Sequence, residues 1–168
     1  SFSFSFTISN SILIYICIGL FVGMCADVFL WMSFIAGTIF FALGHVFYLI
    51  AFFKIEKFHI TDLYASIPIA IVSIILVFMS GFIEINDITI TILLILYTFI
   101  LSTILGKAFM NYKRNQCLSR LILLIGCFLF MFSDLMLAFD MFGNAPHIIG
   151  ELCVYSYWPA QNIIAYSL

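Results

Sequence analysis

The stretch LIGCFLFMFSDLMLAFDMF, residues 124–142, decides the fold class of this chain. It is long enough to cross a bilayer, because about 20 apolar residues span the hydrocarbon core as a helix. Asp134 interrupts its apolar run near the middle, and Asp140 lies close to its end. An ionised aspartate at the centre of a membrane helix costs about 2.5 to 3.5 kcal/mol. The stretch therefore predicts a membrane helix in which a partner or a function offsets the cost of Asp134.

The whole chain has the composition of an integral membrane protein. Of its 168 residues, 65% are hydrophobic and 8% are charged, and the mean hydropathy is +1.27, whereas an average soluble domain has about 25% charged residues. Only helices and closed barrels satisfy every backbone hydrogen bond in lipid, and long apolar runs without two-residue alternation favour helices. We therefore expect an all-α polytopic bundle. The net charge of −2 gives no indication of nucleic acid binding.

Six apolar segments, separated by short polar or turn-forming stretches, are each long enough to span a bilayer. No linker rich in Pro, Gly or Ser divides the chain, so we expect a single membrane domain over residues 1–168. The opening SFSFSFTISN has no initial Met, and residues 1–10 are expected to be a truncated N-terminal segment. The predicted transmembrane helices are residues 11–31, 34–53, 63–83, 88–108, 119–141 and 147–166.

Every basic residue falls on one side of the membrane when the connections are counted alternately. One missed or extra helix would split this set, so the segregation supports the count of six helices. Lys and Arg concentrate in cytoplasmic loops, which predicts that this side and both termini of the chain are cytoplasmic. The acidic residues Glu84, Asp87 and Asp140 fall on the opposite side. The basic residues are Lys54, Lys57, Lys107, Lys113, Arg114 and Arg120.

Polar side chains recur inside four of the predicted helices, at spacings that put them on one face of each helix. Asp27 and Asp134 lie about 16 and about 15 residues into helices of the same direction, so at about 1.5 Å per residue they reach similar depths. Such groups are more stable facing one another or water than facing lipid. We expect Asp27, His45, Asp134 and Gln161 to line one cavity. The full set of candidate site residues is Asp27, His45, Tyr48, Ser133, Asp134, Tyr157 and Gln161.

Each of these residues also has a structural interpretation, as a hydrogen bond between packed helices or as a satisfied core residue. A three-histidine metal site is disfavoured, because His59 falls in a loop on the basic side and His147 at the opposite face. We expect no metal and no cofactor. No G-x-S-x-G motif is present, although Ser133 next to Asp134 leaves a serine nucleophile open.

Four stretches of the chain carry motifs in a fixed order, and the second of them reads G-x-x-x-F-x-x-x-H-x-x-Y. The stretches are GMCADVFL, GTIFFALGHVFYLIAF, LFMFSDLMLAFDMF and YSYWPAQNIIA. The matching residues are Gly23, Asp27, Gly37, Phe41, His45, Tyr48, Ser133, Asp134, Tyr157, Ala160 and Gln161. Together these motifs resemble the lysoplasmalogenase family, also called YhhN-like membrane proteins, over essentially the whole chain.

The resemblance implies an eight-helix fold, of which this chain would begin at the third helix. It also implies hydrolysis of the vinyl-ether bond of lysoplasmalogens to a fatty aldehyde and a glycerophospho-alcohol. The partners implied are therefore a lysophospholipid substrate and membrane lipid. The chain departs from the family pattern at Ala26, where members often have glycine.

The implied reaction agrees with the chemistry of a carboxyl pair. Vinyl-ether hydrolysis needs a proton delivered to the alkenyl carbon and water added to the resulting oxocarbenium-like carbon, and two carboxyl groups supply both functions without a metal. We expect Asp27 and Asp134 to be the catalytic acid and base. The residues expected to position substrate or water are His45, Tyr48, Ser133, Tyr157 and Gln161.

A proton-coupled transporter or channel is the main alternative, because intramembrane Asp and His are also the parts of a proton relay. Against it, the chain is short and shows no inverted repeat or pair of broken helices. An aspartyl intramembrane protease and a purely structural membrane protein are further alternatives. Consumption of a vinyl-ether lysolipid in detergent separates these classes, since a transporter has no gradient to use there.

Overall fold

A computed structural model describes residues 10–79, 85, 87–143 and 146–167. These residues form six α-helices, so the all-α prediction is confirmed, and five of the six are long and apolar enough to cross a membrane. Residues 1–9 of the predicted N-terminal segment, residues 80–83 of the third predicted helix and Glu84 lie outside the described residues. The helices are α1 (Asn10–Met32), α2 (Phe34–Ile55), α3 (Thr61–Met79), α4 (Ile88–Arg114), α5 (Leu118–Phe142) and α6 (Ile148–Tyr166).

The helix bounds follow the apolar segments closely, with one correction at the end of α4. The sequence predicted that this helix ends at residue 108 and that a polar connection follows, but α4 continues to Arg114. Lys107, which lies near the predicted end of the helix, and Asn111, which lies in the predicted connection, are both buried in α4. Lys107 Nζ donates to Asp62 Oδ2 and to the carbonyl oxygen of Lys57, whereas the buried Nδ2 of Asn111 has no hydrogen-bond partner among the described residues. The ion pair lets the helical turn around Lys107 lie inside the protein without water.

Two helices begin at residues whose side chains accept hydrogen bonds from backbone N–H groups in the first turn. Ser33 Oγ accepts from the N–H of Ala36 at 3.4 Å, and Asp87 Oδ1 accepts from the N–H of Thr89 at 2.7 Å. Such N-caps satisfy donors that have no partner within the helix. Because Ser33 alone separates α1 from α2, these two helices form a tight antiparallel hairpin.

The bundle consists of three helical hairpins, α1 with α2, α3 with α4, and α5 with α6, and α4 packs against both α2 and α5. Glycines allow the first hairpin to close: a Cβ at Gly44 would lie 3.1 Å from the carbonyl oxygen of Gly19. Small residues permit this close approach between membrane helices. The largest core side chains come from α2, α4 and α5 and include Tyr48, Phe52, Leu101, Ile104, Leu123, Phe130 and Met131.

A network of charged side chains occupies the end of the bundle where α2 and α4 finish and α3 and α5 begin. Lys107 Nζ lies 2.9 Å from Asp62 Oδ2, and the Arg114 guanidinium also donates to Asp62. Arg120 Nη1 lies 2.7 Å from Glu56 Oε2. The structure therefore brings these basic residues to one end of the bundle, as the sequence predicted. That this end faces the cytoplasm stays a prediction.

Candidate functional site

Asp27 is joined to two other helices by a chain of hydrogen bonds. The Tyr157 hydroxyl donates to Asp27 Oδ2 at 3.0 Å, and Gln161 Nε2 donates to the Tyr157 hydroxyl oxygen at 3.4 Å. The Tyr48 hydroxyl donates to Gln161 Oε1 at 2.9 Å. This hydrogen-bond chain runs from α1 through α6 to α2, so it brings together four of the candidate site residues predicted from the sequence.

The hydrogen-bond chain is held in place by the spacing of residues along α6 and by one glycine of α1. Tyr157 and Gln161 are separated by one turn of α6, which places their side chains on the same face. On α1, Gly23 lies one turn before Asp27, and a Cβ at Gly23 would lie 3.8 Å from Gln161 Nε2. The small residue therefore leaves room for the amide of Gln161 beside α1.

Asp134 has a different tyrosine partner, from α4. The Tyr97 hydroxyl donates to Asp134 Oδ2 at 2.6 Å, and both side chains are partly buried. A carboxylate that accepts a short hydrogen bond from a hydroxyl is stabilised in an apolar interior. Each of the two predicted catalytic aspartates thus has its own hydroxyl donor.

Sequence reasoning missed Tyr97. Its position carried a usable signal, because Tyr97 lies three residues after Leu94 and four before Leu101, and both leucines are buried in the bundle. A tyrosine on the inward face of a membrane helix brings a hydroxyl that needs a partner. That requirement points to an acceptor on a neighbouring helix, and Asp134 supplies it.

His45 is 3% exposed and lies at the centre of this region. Its Nδ1 lies 2.6 Å from the carbonyl oxygen of Phe41. A carbonyl only accepts, so Nδ1 carries the proton and Nε2 of the neutral ring is an acceptor. Nε2 is buried and has no hydrogen-bond partner among the residues that the structure describes. A buried polar atom of this kind is uncommon and points to a functional role.

Aromatic rings connect the two aspartate–tyrosine pairs. The His45 ring centroid lies 5.5 Å from that of Tyr97 and 4.7 Å from that of Phe130. Phe130 in turn lies 5.6 Å from Tyr157, measured between ring centroids. The two pairs therefore belong to one interior region of the bundle.

The cavities beside Asp134 are small. Two spaces of about 30 Å³ each are lined by both Tyr97 and Asp134, and neither is lined by Asp27, His45 or Gln161. Each is about the size of the volume that one molecule occupies in liquid water. A single cavity shared by the four polar residues therefore stays a prediction, and the observed connection is made by hydrogen bonds and ring contacts.

Ser133 is placed differently from the other candidates. Its side chain is fully buried, and its hydroxyl donates to the carbonyl oxygen of Cys153 at 3.0 Å. This bond joins α5 to α6. Its predicted role as a substrate-binding residue stays a prediction, because the observed contact is one between packed helices.

Metal ligands are not grouped in the described part of the chain. Within residues 10–79, 85, 87–143 and 146–167, no group of three or more His, Cys, Asp or Glu side chains is arranged to hold a metal ion. His59 lies next to the charged network, where its backbone N–H donates to Asp62 Oδ2 at 3.0 Å. His147 is exposed before α6, at the opposite end of the bundle.

Comparison with known proteins agrees with the four motifs. The family model described as the YhhN family matches residues 4–168, nearly the whole chain, and both aspartate–tyrosine pairs lie within the match. No curated protein and no solved structure matches the chain. A match of this extent confirms the resemblance, and the chain belongs to the YhhN family.

Proposed function

We propose that this membrane protein is a hydrolase that cleaves the vinyl-ether bond of lysoplasmalogens, releasing a fatty aldehyde and a glycerophospho-alcohol. The observation that carries the proposal is the pair of interior carboxylates, Asp27 and Asp134, each held by a tyrosine hydroxyl. Two carboxyl groups in one interior region can act as general acid and general base. The family resemblance supplies the class of substrate.

The reaction begins with protonation of the alkenyl group. One carboxyl group donates its proton to the carbon of the double bond that is remote from oxygen, and the π electrons form the new C–H bond. The carbon attached to oxygen becomes an oxocarbenium ion. The other, ionised carboxylate stabilises this cation, because opposite charges attract strongly in a site from which water is excluded.

Water completes the reaction. The water oxygen adds to the oxocarbenium carbon, and one water proton passes to the ionised carboxylate. The product of this addition is a hemiacetal. The hemiacetal then breaks its bond to the glycerol oxygen, which takes a proton, while the remaining hydroxyl becomes the carbonyl of the aldehyde. Neither oxidant nor reductant is needed.

One proton shared by the two carboxyl groups is the starting state that this sequence of steps needs. Two carboxyl groups that interact lose their protons in two separate steps, which gives an intermediate state with one proton. Tyr97 and Tyr157 fix the orientation of the carboxylates to which they donate. We assign a positioning role to His45, Tyr48 and Gln161, toward substrate or water.

The test is aldehyde release from vinyl-ether lysolipids by the purified full-length protein in detergent, with several head groups. We expect Asp27→Asn and Asp134→Asn each to lower turnover at least about a hundredfold, since general acid–base groups contribute roughly 10²- to 10⁴-fold. Asp140→Asn is the matched control, because this exposed aspartate on α5 lies outside both aspartate–tyrosine pairs.

Two results would contradict the proposal. If the wild-type protein releases no aldehyde from any vinyl-ether lysolipid, it is not this hydrolase. Proton-coupled uptake in proteoliposomes then tests the transporter alternative, which the hydrogen-bond chain from Tyr48 to Asp27 favours. If both Asn variants keep near-normal turnover, the carboxylates are structural, and the base must be sought first at His45.

A further inference from the structure

A groove of about 450 Å³ opens between α3, α4 and α5. Among the described residues that line it, Ser73 is polar and the others are apolar. Val72 and Leu76 lie one turn apart on α3 and form one side of the groove. The opposite wall includes Leu105, Phe128 and Met131. This volume is in the usual range for sites that hold small molecules.

The groove lies beside the candidate site. Met131 and Leu135 line the groove, and the same two residues line one of the small cavities beside Asp134 and Tyr97. Leu135 also directly follows Asp134 on α5. Met131 and Leu135 therefore separate the groove from the cavity that Asp134 and Tyr97 line.

We propose that this groove holds the alkenyl chain of the lysolipid, and that it selects which chain lengths bring their vinyl carbons to Asp134. This inference rests on the proposed function. It adds where the alkenyl chain of the substrate lies and which surface of the protein limits the length of that chain. The arrangement of apolar and polar groups along the groove supports this assignment. An apolar groove that leads to a carboxylate–hydroxyl pair matches a molecule whose hydrocarbon chain leads to an ether oxygen.

The groove is expected to orient the chain more than to bind it. Lipid tails are as apolar as the groove wall, so moving a chain from the membrane into the groove changes its solvation little. Holding the chain in one direction places the double bond next to Asp134, and correct placement of reacting groups accounts for a large part of catalysis. Narrowing the groove should therefore reduce turnover of long chains and spare short ones.

Neighbouring residues on α3 give matched variants for this test. Val72 and Leu76 line the groove and are 55% and 47% exposed, whereas Ile71 and Ile75 do not line it and are 52% and 48% exposed. Tryptophan at any of these positions extends into space outside the packed core. We expect Val72→Trp and Leu76→Trp to lower kcat/KM about tenfold or more for a long-chain vinyl-ether lysolipid. A short-chain analogue should be hydrolysed at the wild-type rate, and Ile71→Trp and Ile75→Trp should leave both activities unchanged.

A binding experiment tests whether the groove holds the lipid chain independently of hydrolysis. The probe is a saturated alkyl-ether lysolipid with a photoreactive diazirine in mid-chain, which has no vinyl bond to cleave. We expect it to label peptides of α3 and α5, and we expect Val72→Trp and Leu76→Trp, but not Ile71→Trp and Ile75→Trp, to reduce that labelling. A diacyl lipid with the same diazirine should label these peptides less.

The outcomes separate the two proposals. Equal labelling by lysolipid and diacyl lipid, or equal effects of all four tryptophan variants, would show an ordinary lipid-facing surface and overturn the groove assignment even if vinyl-ether lysolipids are hydrolysed. Selective labelling by the lysolipid, blocked by the groove variants, would support the chain site. If that labelling occurs without any hydrolysis, the chain site stands and the hydrolase proposal fails.

Discussion

Lys107 Nζ lies 2.9 Å from Asp62 Oδ2, and the two side chains are 0% and 3% exposed. The same ammonium group donates to the carbonyl oxygen of Lys57 at 2.7 Å and lies 5.6 Å from the centroid of the Phe53 ring. One lysine of α4 is therefore fixed to α3, to the end of α2 and to the connection between them.

Replacing Lys107 by methionine should destabilise the protein. The change removes an ammonium group and leaves Asp62 buried, with Arg114 as a cationic partner. Breaking a buried ion pair by removing one partner costs about 3 to 5 kcal/mol, and we expect a loss near the lower value because Arg114 remains. Unfolding in detergent measures it, with the exposed Lys113→Met as control. A Lys107→Met, Asp62→Asn double variant should recover part of the loss, and wild-type stability of Lys107→Met would contradict the prediction.

The tyrosine hydroxyls beside the aspartates should matter for turnover. We expect Tyr97→Phe and Tyr157→Phe each to lower vinyl-ether hydrolysis about tenfold or more, because a hydrogen bond to a charged group contributes about 1.5 to 3 kcal/mol. Tyr155→Phe is the control, since Tyr155 lies two residues from Tyr157 and is 72% exposed. Aldehyde release in detergent measures the effect. If Tyr155→Phe reduced turnover as much as the other two, the hydroxyls would not act through the carboxylates.

Gly37→Ala should weaken the first hairpin. A Cβ at Gly37 would lie 2.7 Å from Leu30 Cα, and backbone of α1 cannot move away without disturbing the hairpin. Overpacking of this kind costs about 1 to 3 kcal/mol, and the better helix propensity of alanine offsets up to about 1 kcal/mol. The melting temperature in detergent should fall. Gly23→Ala is the matched control, because its nearest atom would be Gln161 Nε2 at 3.8 Å, and an equal fall there would contradict the argument.

Single cysteines at exposed positions of each end test the topology. In a variant without the native cysteines, we expect His59→Cys and Gln116→Cys to react from the cytoplasmic side and Asp87→Cys and His147→Cys from the other side. The reason is the collection of basic side chains at the first of these ends. A membrane-impermeant maleimide added to sealed vesicles of known orientation measures the labelling. Reaction of His59→Cys and Gln116→Cys from opposite sides would contradict the six-helix arrangement.

The number of helices, and the grouping of Asp27 with Tyr157 and Gln161, could be predicted from the sequence. Apolar length determines where a membrane helix forms, and spacing by three or four residues determines which side chains share its face. Counting residues along each helix predicts equal depth for the two aspartates, and this stays a prediction.

The contacts that were missed depend on how the helices are rotated against one another. The spacing of Tyr97 from Leu94 and Leu101 indicates an inward face but not which acceptor it meets, and its bond to Asp134 joins residues 37 positions apart. Lys107 lies near the predicted end of its helix at residue 108, and its buried partner, Asp62, is 45 positions away in the chain. Neither pairing can be read from hydropathy or from spacing within one helix.

The bond between Tyr157 and Asp27 joins residues 130 positions apart in the chain. Ribosomes add about 5 to 20 residues per second, so α1 enters the membrane many seconds before Tyr157 has been synthesised. During that interval Asp27 lacks its hydroxyl donor, and the strongly apolar composition of α1, with a hydropathy of 2.4, must offset the cost of inserting the carboxylate. Asp134 differs, because Tyr97 on α4 has already been made when α5 emerges. The nascent protein therefore acquires its two aspartate–tyrosine pairs one at a time, and the first aspartate to be synthesised is the last to be paired.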